Sequence, residues 1–225
     1  MFARMSRSEA PGCGRLFPLA AECVTLFAGV PAAYARGWIA LPVILLLIII
    51  TSGCWLLLRL RNRAALRGLL RTGAPKAEWR RILLNYAAAV PALLLLLWIV
   101  NPASLFTLAL RHPAIWMAVM CAYPIASVLP QEFAYRVFFF ERYRPLFGRD
   151  VGMILASAMA FSFAHIVFRN WLAVVLTFIG GVLFARSYQR TRSLWLVAVE
   201  HALYGCAIFT VGYGEFFSEG TLRLF

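Results

Sequence analysis

Residues 38–58, WIALPVILLLIIITSGCWLLL, decide the fold class. This stretch of 21 residues carries no charged side chain. About 20 mostly apolar residues are what an α-helix needs to cross the hydrocarbon core of a bilayer. Similar runs lie on either side. Leu16–Tyr34 precedes it, interrupted by Glu22. Ile82–Val100, which contains Pro91, follows, and then Pro113–Leu129 runs on through Pro130 to about Phe140. Val151–Phe168, Trp171–Phe184 and Leu194–Tyr213 complete the series. In lipid every backbone polar group must be satisfied within the protein, so runs of this length read as helices.

Composition agrees. The 225 residues are 63% hydrophobic and 14% charged, with a mean hydropathy of +0.79, against about 45–50% and about 25% for a soluble domain. Intrinsic disorder and a soluble enzyme are both excluded. The expectation is an all-α polytopic membrane protein of about seven transmembrane helices, in one integral membrane domain over residues 1–225 with no internal repeat. Residues 1–35 also have the form of a signal peptide, with a basic start, an apolar middle and Ala33-Tyr34-Ala35 as an A-x-A site. Glu22 in the apolar region argues against it, and cleavage there would leave six spans.

The formal charge of +13 comes from 22 Lys+Arg against 9 Asp+Glu. In so apolar a chain topology explains that excess better than nucleic acid. With seven spans and a cytoplasmic N-terminus, one face holds Arg4, Arg7 and Arg15, eight basic residues between Arg59 and Arg81, Arg142, Arg144 and Arg149, and Arg186, Arg190 and Arg192. The other face holds only Arg36, Arg111, Arg169 and Arg223. Short loops that are rich in Arg and Lys stay cytoplasmic. The Arg59–Arg81 segment therefore reads as a topology anchor, Phe138-Phe139-Phe140 with Tyr143 as an interfacial aromatic belt, and Gly180-Gly181 as a site of close helix packing.

Arg136 falls within or at the edge of a span, among a short set of intramembrane ionisable residues: Glu22, Glu132, Arg136, His165, Glu200 and His201. Such residues are functional candidates because burying them in lipid costs several kcal/mol. Gln131-Glu132-Phe133-Ala134-Tyr135-Arg136 puts Glu132 and Arg136 four apart, on one helix face, where they can pair. Phe161-Ser162-Phe163-Ala164-His165 lies in another apolar helix, and Glu200-His201-Ala202-Leu203-Tyr204-Gly205 in the last. Glu200 and His201 point about 100° apart, so His201 reads as the interior residue and Glu200 as facing another helix or the cytoplasmic boundary. A carboxylate and two histidines on separate helices suffice for water-mediated hydrolysis. The same three could bind a divalent metal or form a proton relay in a transporter. The five scattered cysteines form no C-x-x-C, and there is no H-E-x-x-H.

These three patterns, in this order, resemble the CPBP intramembrane proteases, the group of type II CAAX prenyl endopeptidases and bacteriocin-processing (Abi) proteins. That family's signature is E-E-x-x-x-R, F-x-x-x-H and H-x-x-x-N on consecutive helices, and the resemblance covers residues 113–213. It implies an intramembrane endopeptidase of glutamic type acting on a membrane-anchored protein or peptide; no nucleic acid partner and no cofactor is expected, and a metal-dependent protease stays open as a variant. Phe161 and His165 match the second motif, Glu132 and Arg136 part of the first, and His201 the start of the third. Gln131 stands where the first glutamate is expected, and Gly205 where the asparagine is. In the family the first glutamate is usually the base, so the active reading has Glu132 take over as base, with Arg136 and Gln131 positioning it, His165 helping to activate water and His201 stabilising the oxyanion. Phe161 and Tyr204 would line the substrate, with Tyr204 or a backbone N–H standing in for the asparagine. Some bacterial members of this family resemble processing enzymes for C-terminal sorting signals, and the nearly lysine-free basic set (only Lys76) suggests a GC-rich bacterial genome, hence the expectation of a bacterial inner membrane with the N-terminus cytoplasmic. A catalytically inactive scaffold or immunity protein on the same fold, and a small-solute or proton transporter, are the alternatives.

Overall fold

The computed structural model describes residues 13–63, 66 and 75–217. Seven of its helices are long and apolar enough to cross a membrane. They are α1 (Leu16–Ala35), α2 (Val43–Arg61), α3 (Lys76–Val100), α4 (Pro113–Arg142), α5 (Val151–Phe168), α6 (Trp171–Thr191) and α7 (Leu194–Val211). No strand occurs among the described residues, so the chain is an all-α polytopic membrane protein. Arg4, Arg7, Arg67, Arg71, Arg223 and the start of the signal-peptide-like segment lie outside the described residues.

Helix limits follow local chemistry. Asn170 caps α6 by accepting from Leu172 N (2.8 Å), and Ser193 caps α7 by accepting from Leu196 N (3.2 Å). Gly212, at φ +124°, ends α7. A Cβ there would collide with the carbonyl oxygen of Ser104, because the segment after α3 crosses close by and Phe106 N bonds Val211 O at 2.8 Å.

The loops fall into two groups. At one end Arg81 pairs with Glu78 (2.9 Å), Arg190 with Glu78 (3.2 Å) and Arg192 with Glu141 (3.5 Å), joining the start of α3 to the ends of α4 and α6. At the other end Arg169 donates to Ala35 O (2.9 Å) and Asn101 to Glu215 (2.9 Å). Seven alternating spans require this grouping, and it keeps the basic loops together.

Glu22, which weakened α1 as a span in the sequence, is held in a two-pronged pair by Arg142 at 2.8 and 2.6 Å. Tyr143 also donates to it at 3.2 Å. This anchor sets Phe27 of α1 among Phe138, Phe139 and Tyr143, with ring centroids 5.1–6.4 Å apart. Phe138, Phe139, Phe140 and Tyr143 are at most 2% exposed. The expected interfacial belt is therefore a core cluster, because α1 covers that face of α4. At Gly181 an added Cβ would come within 3.1 Å of Ala158 Cα, the close α5–α6 packing expected of small residues.

A candidate active site within the bundle

Helix α4 is interrupted twice by wider π turns, over Pro124–Val128 and Phe133–Phe138. Proline removes an N–H from the ladder and crowds the preceding turn, and π-bulges recur at functional sites. Here Pro124 and Pro130 bracket the first bulge, and Thr51 of α2 donates to Pro130 O at 3.1 Å. Tyr123, Gln131, Glu132 and Arg136 lie beside or within these turns.

Glu132 and Arg136 are both fully buried, and their ion pair, Arg136 Nε to Glu132 Oε2, measures 3.2 Å. The guanidinium has further support. Its Nη1 donates to Ser157 Oγ (2.9 Å), and Ser157 in turn donates to Tyr135 O (2.7 Å). Its carbon lies 4.9 Å from the centre of the Phe161 ring. Glu132 Oε1 receives His201 Nδ1 at 2.8 Å. Helices α4, α5 and α7 are thereby joined through one carboxylate.

The His201 ring is fixed on its faces as well as its edges. Phe184 stacks on it at 4.6 Å and 20°, and Phe161 meets it edge-on at 5.4 Å. Its other nitrogen, Nε2, lies 3.1 Å from the Tyr123 hydroxyl. His165 begins the 3-10 turn that ends α5, and its Nδ1 lies 2.8 Å from Phe161 O. A carbonyl only accepts, so Nδ1 carries the proton and Nε2 keeps a lone pair.

Tyr123, Ser127, Gln131, His165 and His201 line the wall of one cavity of about 660 Å³. The rest of the wall is mainly apolar, with Val43, Leu47, Leu93, Ile115 and Leu176 among its residues. Gln131 Nε2 donates to Ser127 Oγ (2.6 Å), and its Oε1 is buried without a partner. Phe161 and Tyr204 also line the cavity. The Tyr204 hydroxyl is buried without a partner, and its ring packs against Tyr86 and Phe184. Glu132 does not reach the wall. Glu200 faces away, bonded to Ser187 and 3.9 Å from Arg81, so it ties α7 to α6 and α3.

Sequence reasoning found Gln131, Glu132, Arg136, Phe161, His165, His201 and Tyr204, and the fold brings all seven into or against this site. It missed Tyr123, Ser157 and Phe184. Ser157 sits four residues before Phe161 on the same face of α5, a spacing that was available. Tyr123 and Phe184 meet His201 only through tertiary packing, across 78 and 17 residues. Among the described residues no three His, Cys, Asp or Glu side chains form a group that could hold a metal ion.

Residues 111–207 match the family model described as Type II CAAX prenyl endopeptidase Rce1-like. The match takes in all three motifs, bears out the resemblance over that segment, and points to a CAAX-type protease family. Neither the curated proteins nor the solved structures contain a significant match.

Proposed function

We propose that the protein is an intramembrane endopeptidase that hydrolyses a peptide bond in a membrane-anchored protein or peptide. The observation that carries this reading is that Gln131, His165 and His201 all line a single, mainly apolar cavity within the bundle. Binding sites are mostly apolar with a few convergent polar groups, and peptide hydrolysis needs a base for water and a donor for the oxyanion.

The proposed nucleophile is a water held by two acceptors. His165 Nε2 and Gln131 Oε1 can each take one of its hydrogens, which leaves an oxygen lone pair to attack the carbonyl. His165 takes the proton as that bond forms and returns it to the departing amine. His201 serves the oxyanion side, oriented by Glu132 and clamped by Phe161 and Phe184. Glu132, the base expected from the sequence, is fully buried with one oxygen bonded to His201 and the other paired with Arg136. Its proposed role is therefore to hold His201, with Arg136 fixing it in turn. The carboxylate is still essential, but it acts through an imidazole.

Substrates with an apolar membrane segment fit the cavity wall, and a C-terminal sorting signal with a membrane helix and a basic tail is such a substrate. The proposed setting is a bacterial inner membrane with the N-terminus cytoplasmic, which puts the clustered basic loops inside.

The test compares protein termini in membranes of cells carrying wild-type, His165→Ala or Glu132→Ala chain. Termini that appear with wild type and vanish with both variants support the reading. Identical profiles at equal amounts of folded protein overturn it and favour the scaffold alternative.

A further inference from the structure

Position 205 is a glycine in the middle of a helix, where glycine costs about 1 kcal/mol relative to alanine. The structure gives the reason. A Cβ on Gly205 would collide with the ring and hydroxyl of Tyr123. The Tyr123 side chain crosses from α4 onto the bare backbone of α7, one helical turn beyond His201, and its hydroxyl lies 3.1 Å from His201 Nε2. Its ring is held edge-on by Phe209 at 5.2 Å, and Tyr123 lines the same cavity as Gln131 and His165.

We infer that the Tyr123 hydroxyl is the hydrogen-bond donor to the oxyanion, seated in the space left by Gly205. This rests on the peptidase reading and makes it specific. When the His201 ring carries both protons, both of its nitrogens donate: Nδ1–H to Glu132 and Nε2–H to the Tyr123 oxygen. Tyr123 accepts that bond, and its own O–H is free to turn to the cavity. A phenol that accepts from a cation is a stronger donor, because successive hydrogen bonds polarise one another. His201 therefore acts through Tyr123, since its own Nε2 is already occupied. The step forms and breaks no covalent bond: the phenol keeps its proton, and its O–H dipole meets the charge developing on the carbonyl oxygen.

Removing one oxyanion donor lowers the rate about 10²–10³-fold. The experiment measures cleavage of a synthetic peptide spanning a wild-type-dependent terminus by purified chain in proteoliposomes, with kcat and KM separated. Tyr123→Phe is expected to lower kcat about 10²–10³-fold with KM within about threefold and unchanged thermal stability. Gly205→Ala, which pushes the phenol aside, is expected to lose activity as well. The double variant Tyr123→Ala/Gly205→Asn, which carries an amide donor to the same place, is expected to recover part of it. In ¹⁵N-histidine spectra the His201 Nε2 signal should shift in Tyr123→Phe while the His165 signals stay. If Tyr123→Phe does not fold, a fluorotyrosine at position 123 keeps the shape and changes the donor strength, and kcat must change with it. A kcat within threefold of wild type in a folded Tyr123→Phe overturns the inference. If His165→Ala is inactive in the same assay, the peptidase reading survives that result. If no wild-type-dependent terminus exists, both fall together.

Discussion

Arg136→Met removes the cation from a fully buried pair while keeping most of the side chain's volume. Breaking a buried pair by deleting one partner typically costs about 3–5 kcal/mol, because the remaining charge is stranded. Two features of this site set the value. Glu132 keeps His201 Nδ1 at 2.8 Å, which reduces the cost. The guanidinium 4.9 Å from Phe161, a contact worth up to about 2 kcal/mol when desolvated, and its bond to Ser157 at 2.9 Å add to it. About 3–4 kcal/mol is expected. The double variant Glu132→Gln/Arg136→Met strands no charge and should return to within about 1 kcal/mol of wild type, since replacing both partners is often neutral. It should nonetheless lose activity, because a neutral amide replaces the carboxylate that orients His201 through Nδ1. The assay is reversible unfolding in detergent micelles together with cleavage in proteoliposomes. A single variant costing under about 1 kcal/mol, or a double no more stable than the single, would refute the reasoning.

Other sites make independent predictions. Gly212→Ala meets both a strained φ of +124° and the Ser104 carbonyl; a loss above about 2 kcal/mol is expected in the same unfolding assay. Tyr213→Phe loses the donor to Leu93 O (2.8 Å) at a fully buried site and should cost about 1 kcal/mol, with cleavage unaffected because the residue lies off the cavity wall. Chelation of divalent ions should leave cleavage within about twofold, since the Glu132 and His165 Nδ1 atoms are already engaged by protein partners. A loss restored by one added metal would contradict that assignment.

Much of the fold was legible because lipid imposes simple rules. The run at 38–58 and its counterparts mark helices by length and apolarity alone, and charge in the short loops groups their ends. The Glu132–Arg136 pair was readable from local spacing. The aromatic cluster at 138–143 was misread as a belt because period and composition do not say what covers a helix face; the Glu22–Arg142 pair, 120 residues apart, brings α1 over it. The site's histidines and carboxylate stood out as polar residues in apolar helices. Tyr123 did not, because tyrosine is ordinary in a membrane helix. Its partners His201 and Gly205 lie three helices further along the chain, and only the packing of α4 on α7 unites them. The buried face of Glu132 was equally hidden, since spacing gives neighbours on one helix and says nothing of the access to a cavity.

The most direct measurement follows the attacking oxygen. Purified wild-type chain is reconstituted with membranes lacking it, in water enriched in ¹⁸O, and new C-termini are analysed by mass spectrometry. The account predicts ¹⁸O-labelled C-termini with wild type and none with His165→Ala or Glu132→Ala. No labelled termini with folded wild-type chain, or equal labelling with His165→Ala, would contradict it.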